Sequence, residues 1–337
     1  MTTLSFQRVL VTGGAGFIGS NFIRSASARH PEWQIIVLDK LTYAGNLANL
    51  ADVRERITFV RGDIAEPGDV RPALRGVDAV LNFAAESHVD RSLLDAAPFF
   101  RTNVTGTDVL LTEARTAGVR RFVQISTDEV YGDCSGTTRH SVETDALRPS
   151  SPYAVSKAQA DERVLASGLN FVITRSSNTY GPFQYPEKII PLFVTNALED
   201  RPLPVYGDGS AVRDYLHVED HAAGVDHVLH AGRTGEVYNL GARLEVAGRT
   251  VAETILKRLG KPASLVRYVT DRSNHDYRYA VDPGKAEALG WTKRWSFADG
   301  LEATIAWYTK NPGWWQEIKG SAAYRLLMQD WYGQRVS

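Results

Sequence analysis

Short apolar runs recur along the first half of the chain, separated by stretches in which polar and apolar positions mix. Arg8-Val9-Leu10-Val11-Thr12 is one such run, and it stops at the glycine-rich turn Gly13-Gly14-Ala15-Gly16-Phe17-Ile18-Gly19. Others fall at Ile35–Leu38, Ile57–Val60, Ala79–Phe83, Phe122–Ile125 and Phe171–Thr174. They are nearly continuous rather than alternating, the pattern of strands buried on both faces. Helices are predicted between most of them, one from about Ser20 and others near Thr107–Ala117 and Ala154–Ala166. Strand and helix signals in alternation predict an α/β fold with a doubly wound parallel sheet.

After about Gly181 this rhythm stops. Pro182, Pro186, Pro191, Pro202 and Pro204 punctuate short segments, and only Val237–Leu240 reads as a further strand, returning to the main sheet. The tail mixes helices with Trp291, Trp295, Trp307, Trp314, Trp315 and Trp331, which read as packing anchors because no basic stripe accompanies them. The expected organisation is a nucleotide-binding domain over residues 1–181, rejoined by a segment near 213–243. A smaller C-terminal α/β domain, from 182–212 and 244–330, closes over its strand ends.

The totals narrow the partners. Lys and Arg number 38 against 39 Asp and Glu, so the net charge is −1. No global basic field recruits nucleic acid or an anionic membrane, and an anionic ligand must be held by local charges. No apolar run approaches a membrane span, the N-terminus has no signal-peptide pattern, and one cysteine excludes an internal disulfide. A cytoplasmic protein is expected. That cysteine, Cys134, has no evident base partner and reads as incidental.

Gly14-x-Gly16-x-x-Gly19 lies between a predicted strand and a predicted helix, where backbone can approach a pyrophosphate and a helix N-terminus supplies N–H donors. Asp39, ending the second strand, is placed to accept from both ribose hydroxyls. A 2′-phosphate there would meet like charge, which favours NAD over NADP, although Lys40 follows directly. Asp63-Ile64, ending the third strand, is placed to contact adenine.

Ser126-Thr127-Asp128-Glu129-Val130-Tyr131-Gly132 puts a hydroxyl and two adjacent carboxylates beyond a predicted strand end, where ligands of open α/β sheets collect. Tyr153-x-x-x-Lys157 follows, with both side chains on one helix face. A nearby ammonium and an oxidised nicotinamide would both lower the phenol's pKa from about 10, so that it can take an alcohol proton during hydride transfer. With glycine loop, Thr127, Tyr153 and Lys157 in this order, the chain resembles the extended short-chain dehydrogenase/reductase superfamily and its Rossmann fold.

Further stretches resemble one branch of that superfamily, the dTDP-glucose 4,6-dehydratase family. They are Phe83-Ala84-Ala85-Glu86-Ser87-His88-Val89-Asp90-Arg91-Ser92, Thr127-Asp128-Glu129, Pro186-Glu187-Lys188, Val205-Tyr206-Gly207-Asp208-Gly209, Arg213-Asp214-Tyr215 and Asp271–Tyr279. The resemblance covers nearly the whole chain and implies NAD recycled within each turnover. Tyr153 would act at the glucose 4-hydroxyl with Thr127 and Lys157, Glu129 as base at C5, and Asp128 as acid at C6. It implies a cofactor site of Gly13, Gly16, Phe17, Ile18, Gly19, Asp39, Lys40, Leu41, Thr42, Asp63, Ile64, Phe83, Ala84, Ala85, Ser87, Thr102, Tyr153 and Lys157. It assigns the nucleotide sugar, held by the smaller domain, to Ser87, Thr127, Asn178, Lys188, Pro204, Tyr206, Arg213, Arg272, His275 and Tyr279.

A rival reading is the same chemistry on UDP-glucose, or plain C4 epimerisation, which needs neither acid of the pair. A redox-sensing NAD-binding protein would need damaged catalytic groups, and these are intact. Three departures from the family pattern stand out. Thr179 replaces the second residue of an Asn pair, Gly248 replaces an asparagine near the nucleotide, and the stretch from Lys157 to Arg175 is about one helical turn shorter. The resemblance implies a homodimer, formed in part through that helix. His217, His221, His227 and His230 lie at i,i+4 and i,i+3. No carboxylate or cysteine pattern completes a metal site, so they read as a solvated helix face and no metal is expected.

Overall fold

The computed structural model describes residues 4–271 and 276–332. Its strands, in chain order, are β1 (Arg8–Thr12), β2 (Gln34–Asp39), β3 (Ile57–Arg61), β4 (Ala79–Asn82), β5 (Arg121–Thr127), β6 (Phe171–Ser176), β7 (Asn178–Tyr180), β8 (Leu203–Tyr206), β9 (Val212–His217), β10 (Glu236–Leu240), β11 (Glu245–Ala247), β12 (Val266–Val269) and β13 (Arg278–Tyr279). Seven form one parallel sheet in the order β10-β6-β5-β4-β1-β2-β3. The continuous apolar runs are the reason. Each strand must present hydrophobic side chains to helices on both faces.

Helices Phe17–Arg29 and Val218–Ala231 cover one face, packing Phe22, Ile23, Val225 and Val228 against Val9, Val11, Val37 and Leu81. Val70, Leu110, Leu111 and Val164 cover Leu10, Leu38, Val80 and Phe122 on the other. Pairing carries two strands beyond their apolar runs. Ser126 and Thr127 pair with Arg175 and Ser176, so Thr127 is the last residue of β5. The chain winds outward in opposite directions from the β1–β4 neighbours, and the crevice beyond their carboxyl ends is where such sheets take nucleotides.

The later part builds smaller sheets. β11-β9-β13 form one, with β7 on β9, and β12 pairs with β8. Helices Ile189–Leu198, Gly248–Leu259 and Phe297–Lys310 enclose a separate core that includes Phe193, Val205, Ile255, Leu301, Tyr308 and Trp315. The tail tryptophans do pack. Trp291 and Trp315 are buried and donate to the carbonyls of Asp220 and Tyr308 at 3.1 and 2.8 Å. Among the described residues no helix is long and apolar enough to cross a membrane.

The histidine expectation fails. His217 is 3% and His221 0% exposed, and burial pushes both rings down to about 4. His227 and His230 each bond a carbonyl, of Leu289 and Leu4, at 2.7 Å. Helical spacing places residues near one another on a helix, but it does not say whether they are wet. Here two are buried and two are partly buried against neighbouring segments.

Candidate active site

The glycine turn is fixed by contact rather than by composition. Gly13 has φ +65°, and a Cβ there would lie 2.6 Å from the Ala84 backbone. A Cβ on Gly19 would lie 2.4 Å from the Gly13 oxygen. Gly16 caps helix Phe17–Arg29 without a side-chain hydrogen bond, so the first-turn N–H groups face the cleft rather than a capping side chain. Gly19→Ala is expected to push this turn apart, lowering stability by about 1–3 kcal/mol. Urea titration, with NAD content measured after purification, checks it.

Asp39 ends β2 with its carboxylate accepting from the N–H groups of Ala15 and Leu41 at 2.9 and 2.8 Å. Burial raises its pKa and those two bonds pull it back. Lys40 is paired, with Nζ 2.7 Å from Asp63, which also meets Arg101 at 2.5 Å. Burial opposes ionisation of Asp63, yet the bonds from Lys40, Ala65 and Arg101 hold it below its ordinary value. Of the residues expected at the cofactor, all but Leu41 line one cleft, from Gly13 to Lys157. Leu41 contributes its N–H to Asp39.

Thr127, Asp128, Glu129, Tyr153 and Lys157 line the same cleft. The Thr127 hydroxyl donates to Asp128 Oδ1 and accepts from the Glu129 N–H, both at 3.3 Å. Asp128 is 3% exposed, and its Oδ2 has no hydrogen-bond partner among the described residues. Its carboxyl is pushed well above its ordinary value, first by burial and then by the charges of Glu129 and Asp214, with Arg213 opposing. Behind the strand, Asp161 bonds Arg175 Nε at 2.9 Å and Ser126 at 3.0 Å, and Arg175 bonds the Tyr131 hydroxyl at 3.0 Å. This buried network holds the end of β5 and the turn after it.

The expected lowering of the tyrosine is not produced by the protein itself. Burial, then the Glu129 charge, raises Tyr153, while its hydrogen bond with Thr127 acts the other way. Lys157 Nζ donates to the Ile125 carbonyl at 2.6 Å, and burial lowers the ammonium to about 8. Its hydrogen bond therefore goes to the strand.

A second cavity adjoins the first, and Glu129, Asn178, Glu187 and Lys188 line both. It gathers Pro204, Tyr206, Arg213 and Tyr279, with Gly248 in its wall. Ser87 and Thr127 lie on the first side. Arg213 sits 4.7 Å from the Tyr279 ring, whose hydroxyl donates to Asp276. The Tyr206 hydroxyl donates to Asp90 at 3.1 Å and accepts from Trp331 on the last helix, Ala322–Tyr332. Arg272 and His275 lie outside the described residues. The Thr179 hydroxyl meets His221 Nδ1 at 2.9 Å, and a side chain at Gly248 would find only ordinary contacts, at 3.7 Å or more.

One linking group was not singled out in the sequence. Glu187 accepts from the Tyr43 hydroxyl and from Arg91 Nε, both at 2.9 Å, and Arg91 lies 3.7 Å from the Tyr43 ring. The contact joins the cofactor loop to the segment that carries Lys188. Arg91 and Glu187 each belong to a family-like motif, but nothing in the sequence pairs them. Glu187→Ala strands a largely buried guanidinium and is expected to cost up to about 3–5 kcal/mol. Denaturant unfolding reads this directly.

A model of the NAD dependent epimerase/dehydratase family matches residues 9–241. The chain belongs to that family. A dTDP-glucose 4,6-dehydratase of Actinoplanes sp. is 47% identical over 321 residues, covering 92% of this chain and 100% of the relative. The crystal structure of DesIV, the dTDP-glucose 4,6-dehydratase of Streptomyces venezuelae, with NAD and TYD bound, has a TM-score of 0.90 at 51% identity. It covers 93% of this chain and 100% of its own. A Thermus thermophilus UDP-glucose 4-epimerase complex with NAD also matches, with a TM-score of 0.84 at 31% identity over 90% of this chain and 100% of its own. The fold is thus common to dehydratases and epimerases. Within the family the chain groups with the dTDP-glucose 4,6-dehydratases.

Proposed function

We propose that the chain converts dTDP-glucose to dTDP-4-keto-6-deoxyglucose, as an NAD-dependent hydro-lyase. The observation that carries this reading is the buried Asp128 beside Glu129, at the end of β5 where the two cavities meet. The residues present fit NAD: the turn at Gly13 and Gly19 has no room for a Cβ, Asp39 offers a carboxylate where a ribose would lie, and Lys40 is engaged by Asp63.

NAD held by this cleft would supply a hydride acceptor toward C4 and a hydride donor toward C6, and its oxidised ring would add a positive charge that favours the tyrosinate. Tyr153, oriented by Thr127, takes the proton of the 4-hydroxyl. The resulting 4-ketone acidifies C5, where Glu129 removes the proton. Asp128 donates its own proton to the 6-hydroxyl, which leaves as water. A proton then returns to C5, and the product is the 4-keto-6-deoxy sugar. The environment of Asp128 supports its part, because burial and neighbouring charge favour the protonated carboxyl. On the sugar-nucleotide side we assign the diphosphate to Arg213 with Arg272, and the remainder of the ligand to Asn178, Lys188, Tyr206, His275 and Tyr279.

Mass spectrometry of the protein incubated with dTDP-glucose and with UDP-glucose in deuterated water tests the proposal. Loss of water with one deuterium gained at C5, faster on dTDP-glucose, is the expected result. An unchanged mass with a galactose product would make it an epimerase, and no product at all would leave a binding protein. Gly248 leaves the second cavity open, so the ratio of the two rates measures how far the nucleotide base is read. We also propose a cytoplasmic homodimer, in keeping with the exposed Leu165 on helix Pro152–Leu165. Light scattering on the eluted peak distinguishes it from a monomer.

A further inference from the structure

His30, Asp226 and His230 meet where helix Phe17–Arg29 ends and helix Val218–Ala231 passes beside it. Their ligand-type atoms lie within 4.8 Å of one another. Asp226 Oδ1 is 2.8 Å from His30 Nε2 and 3.7 Å from His230 Nε2. This cluster is at the opposite end of helix Phe17–Arg29 from Gly16, away from the cleft.

The tautomer of His230 follows from its partner. Nδ1 lies 2.7 Å from the Leu4 carbonyl, and a carbonyl only accepts, so Nδ1 carries the proton. In the neutral ring Nε2 then presents a lone pair. That atom is buried without a hydrogen-bond partner among the described residues, and it faces a carboxylate oxygen. A lone pair opposed to a carboxylate oxygen is relieved by a positive centre between them, either a second proton on the ring or a metal ion. Arg29 Nη1 reaches the other carboxylate oxygen, Asp226 Oδ2, at 3.1 Å, so Oδ1 is the oxygen that serves the two imidazoles.

The donor set is that of a transition-metal ion, two imidazoles and a carboxylate. Zinc bonds imidazole nitrogen and carboxylate oxygen at roughly 2.0–2.2 Å, so tetrahedral ligand atoms stand about 3.3 Å apart. The 3.7 Å separation leaves room for an ion, which would replace the present 2.8 Å hydrogen bond between Asp226 and His30. The surroundings supply an outer partner of the kind metal-bound imidazoles use, the Leu4 carbonyl for His230. Trp33 stacks on His30 at 4.1 Å and Phe6 lies 5.5 Å from His230, which shields the cluster.

We propose that His30, Asp226 and His230 bind one divalent transition-metal ion of the zinc class, with solvent as the fourth ligand. Two nitrogens and one oxygen suit Zn²⁺ over Mg²⁺ or Ca²⁺, which prefer all-oxygen shells. The ion would tie the end of the cofactor-binding helix to its neighbour and take no part in the chemistry of the cleft.

The test uses tag-free full-length protein, stripped with a chelator and titrated with ZnCl₂ by calorimetry. One equivalent should bind, Tm should rise with added zinc, and turnover of the stripped enzyme should equal that of the loaded one. His30→Ala/His230→Ala should lose more affinity than the roughly 10–100-fold that removal of an outer partner costs. Asp226→Asn, a milder change, should weaken binding in the same direction and guards against a misfolded double variant. With Co²⁺, wild type should show visible absorption of a four-coordinate ion that both variants lack. No binding at one equivalent, or binding unchanged in both variants, overturns the proposal.

Discussion

Asparagine at position 128 is expected to halt the reaction between oxidation and water loss. The substitution keeps the shape of the side chain and removes the proton that the departing 6-hydroxyl needs. Oxidation at C4 does not call on Asp128, so NADH should accumulate when substrate is added, while overall turnover falls by ~10²–10⁴. Stopped-flow absorbance of NADH reads both phases, and wild-type turnover in the variant would remove Asp128 from the acid role. The pH dependence has a fixed sign. The carboxyl is useful while protonated, so wild-type kcat falls as pH rises through its elevated pKa, and the variant's residual rate lacks that limb. Stability moves the other way. A carboxyl with a raised pKa favours the fold most below its unfolded value of about 3.9, and that advantage is lost as pH rises toward the folded value. At neutral pH Asp128 therefore destabilises the fold, and Asp128→Asn should raise Tm there more than at pH 4.

Tyr153→Phe is expected to act one step earlier. The ring is 8% exposed and packs edge-on against Phe99 at 6.4 Å, so losing the hydroxyl leaves the packing in place. Without the phenol the 4-hydroxyl loses the base assigned to it, and hydride transfer should fall by ~10²–10⁴ with little NADH formed at any time. The two variants thus differ in a quantity other than rate: one stores reduced cofactor and the other does not. NADH formation at the wild-type rate in Tyr153→Phe would exclude the tyrosine as base. Because the protein raises the phenol's pKa by burial, the wild-type rate of C4 oxidation should also climb with pH until the tyrosinate is formed.

The main sheet was legible because its strands are buried on both faces, which writes an uninterrupted apolar run into each one. Thr127, Asp128, Tyr153 and Lys157 were legible for a related reason: each sits at a fixed offset from such a run or along one helix. β7, β8, β9, β11 and β13 were not, because they are short and mixed in polarity and become strands only by pairing with segments far along the chain. Glu187 meets Arg91 across 96 residues, and His30 meets Asp226 across 196. No local pattern encodes either contact. The histidines of helix Val218–Ala231 show the converse limit, since their spacing was read correctly and their burial was not. Lys157 adds an electrostatic one: helix spacing brings it near Tyr153, but only the structure shows its ammonium bonded to the Ile125 carbonyl.

The bond from Trp331 to the Tyr206 hydroxyl has a practical side for anyone making this protein. The last described helix ends at Tyr332, one residue beyond the indole that touches a wall of the second cavity. Altering this helix in an expressed form is therefore expected to disturb the ligand site, and a kinetic defect in such a product would report the lost indole contact rather than the catalytic groups.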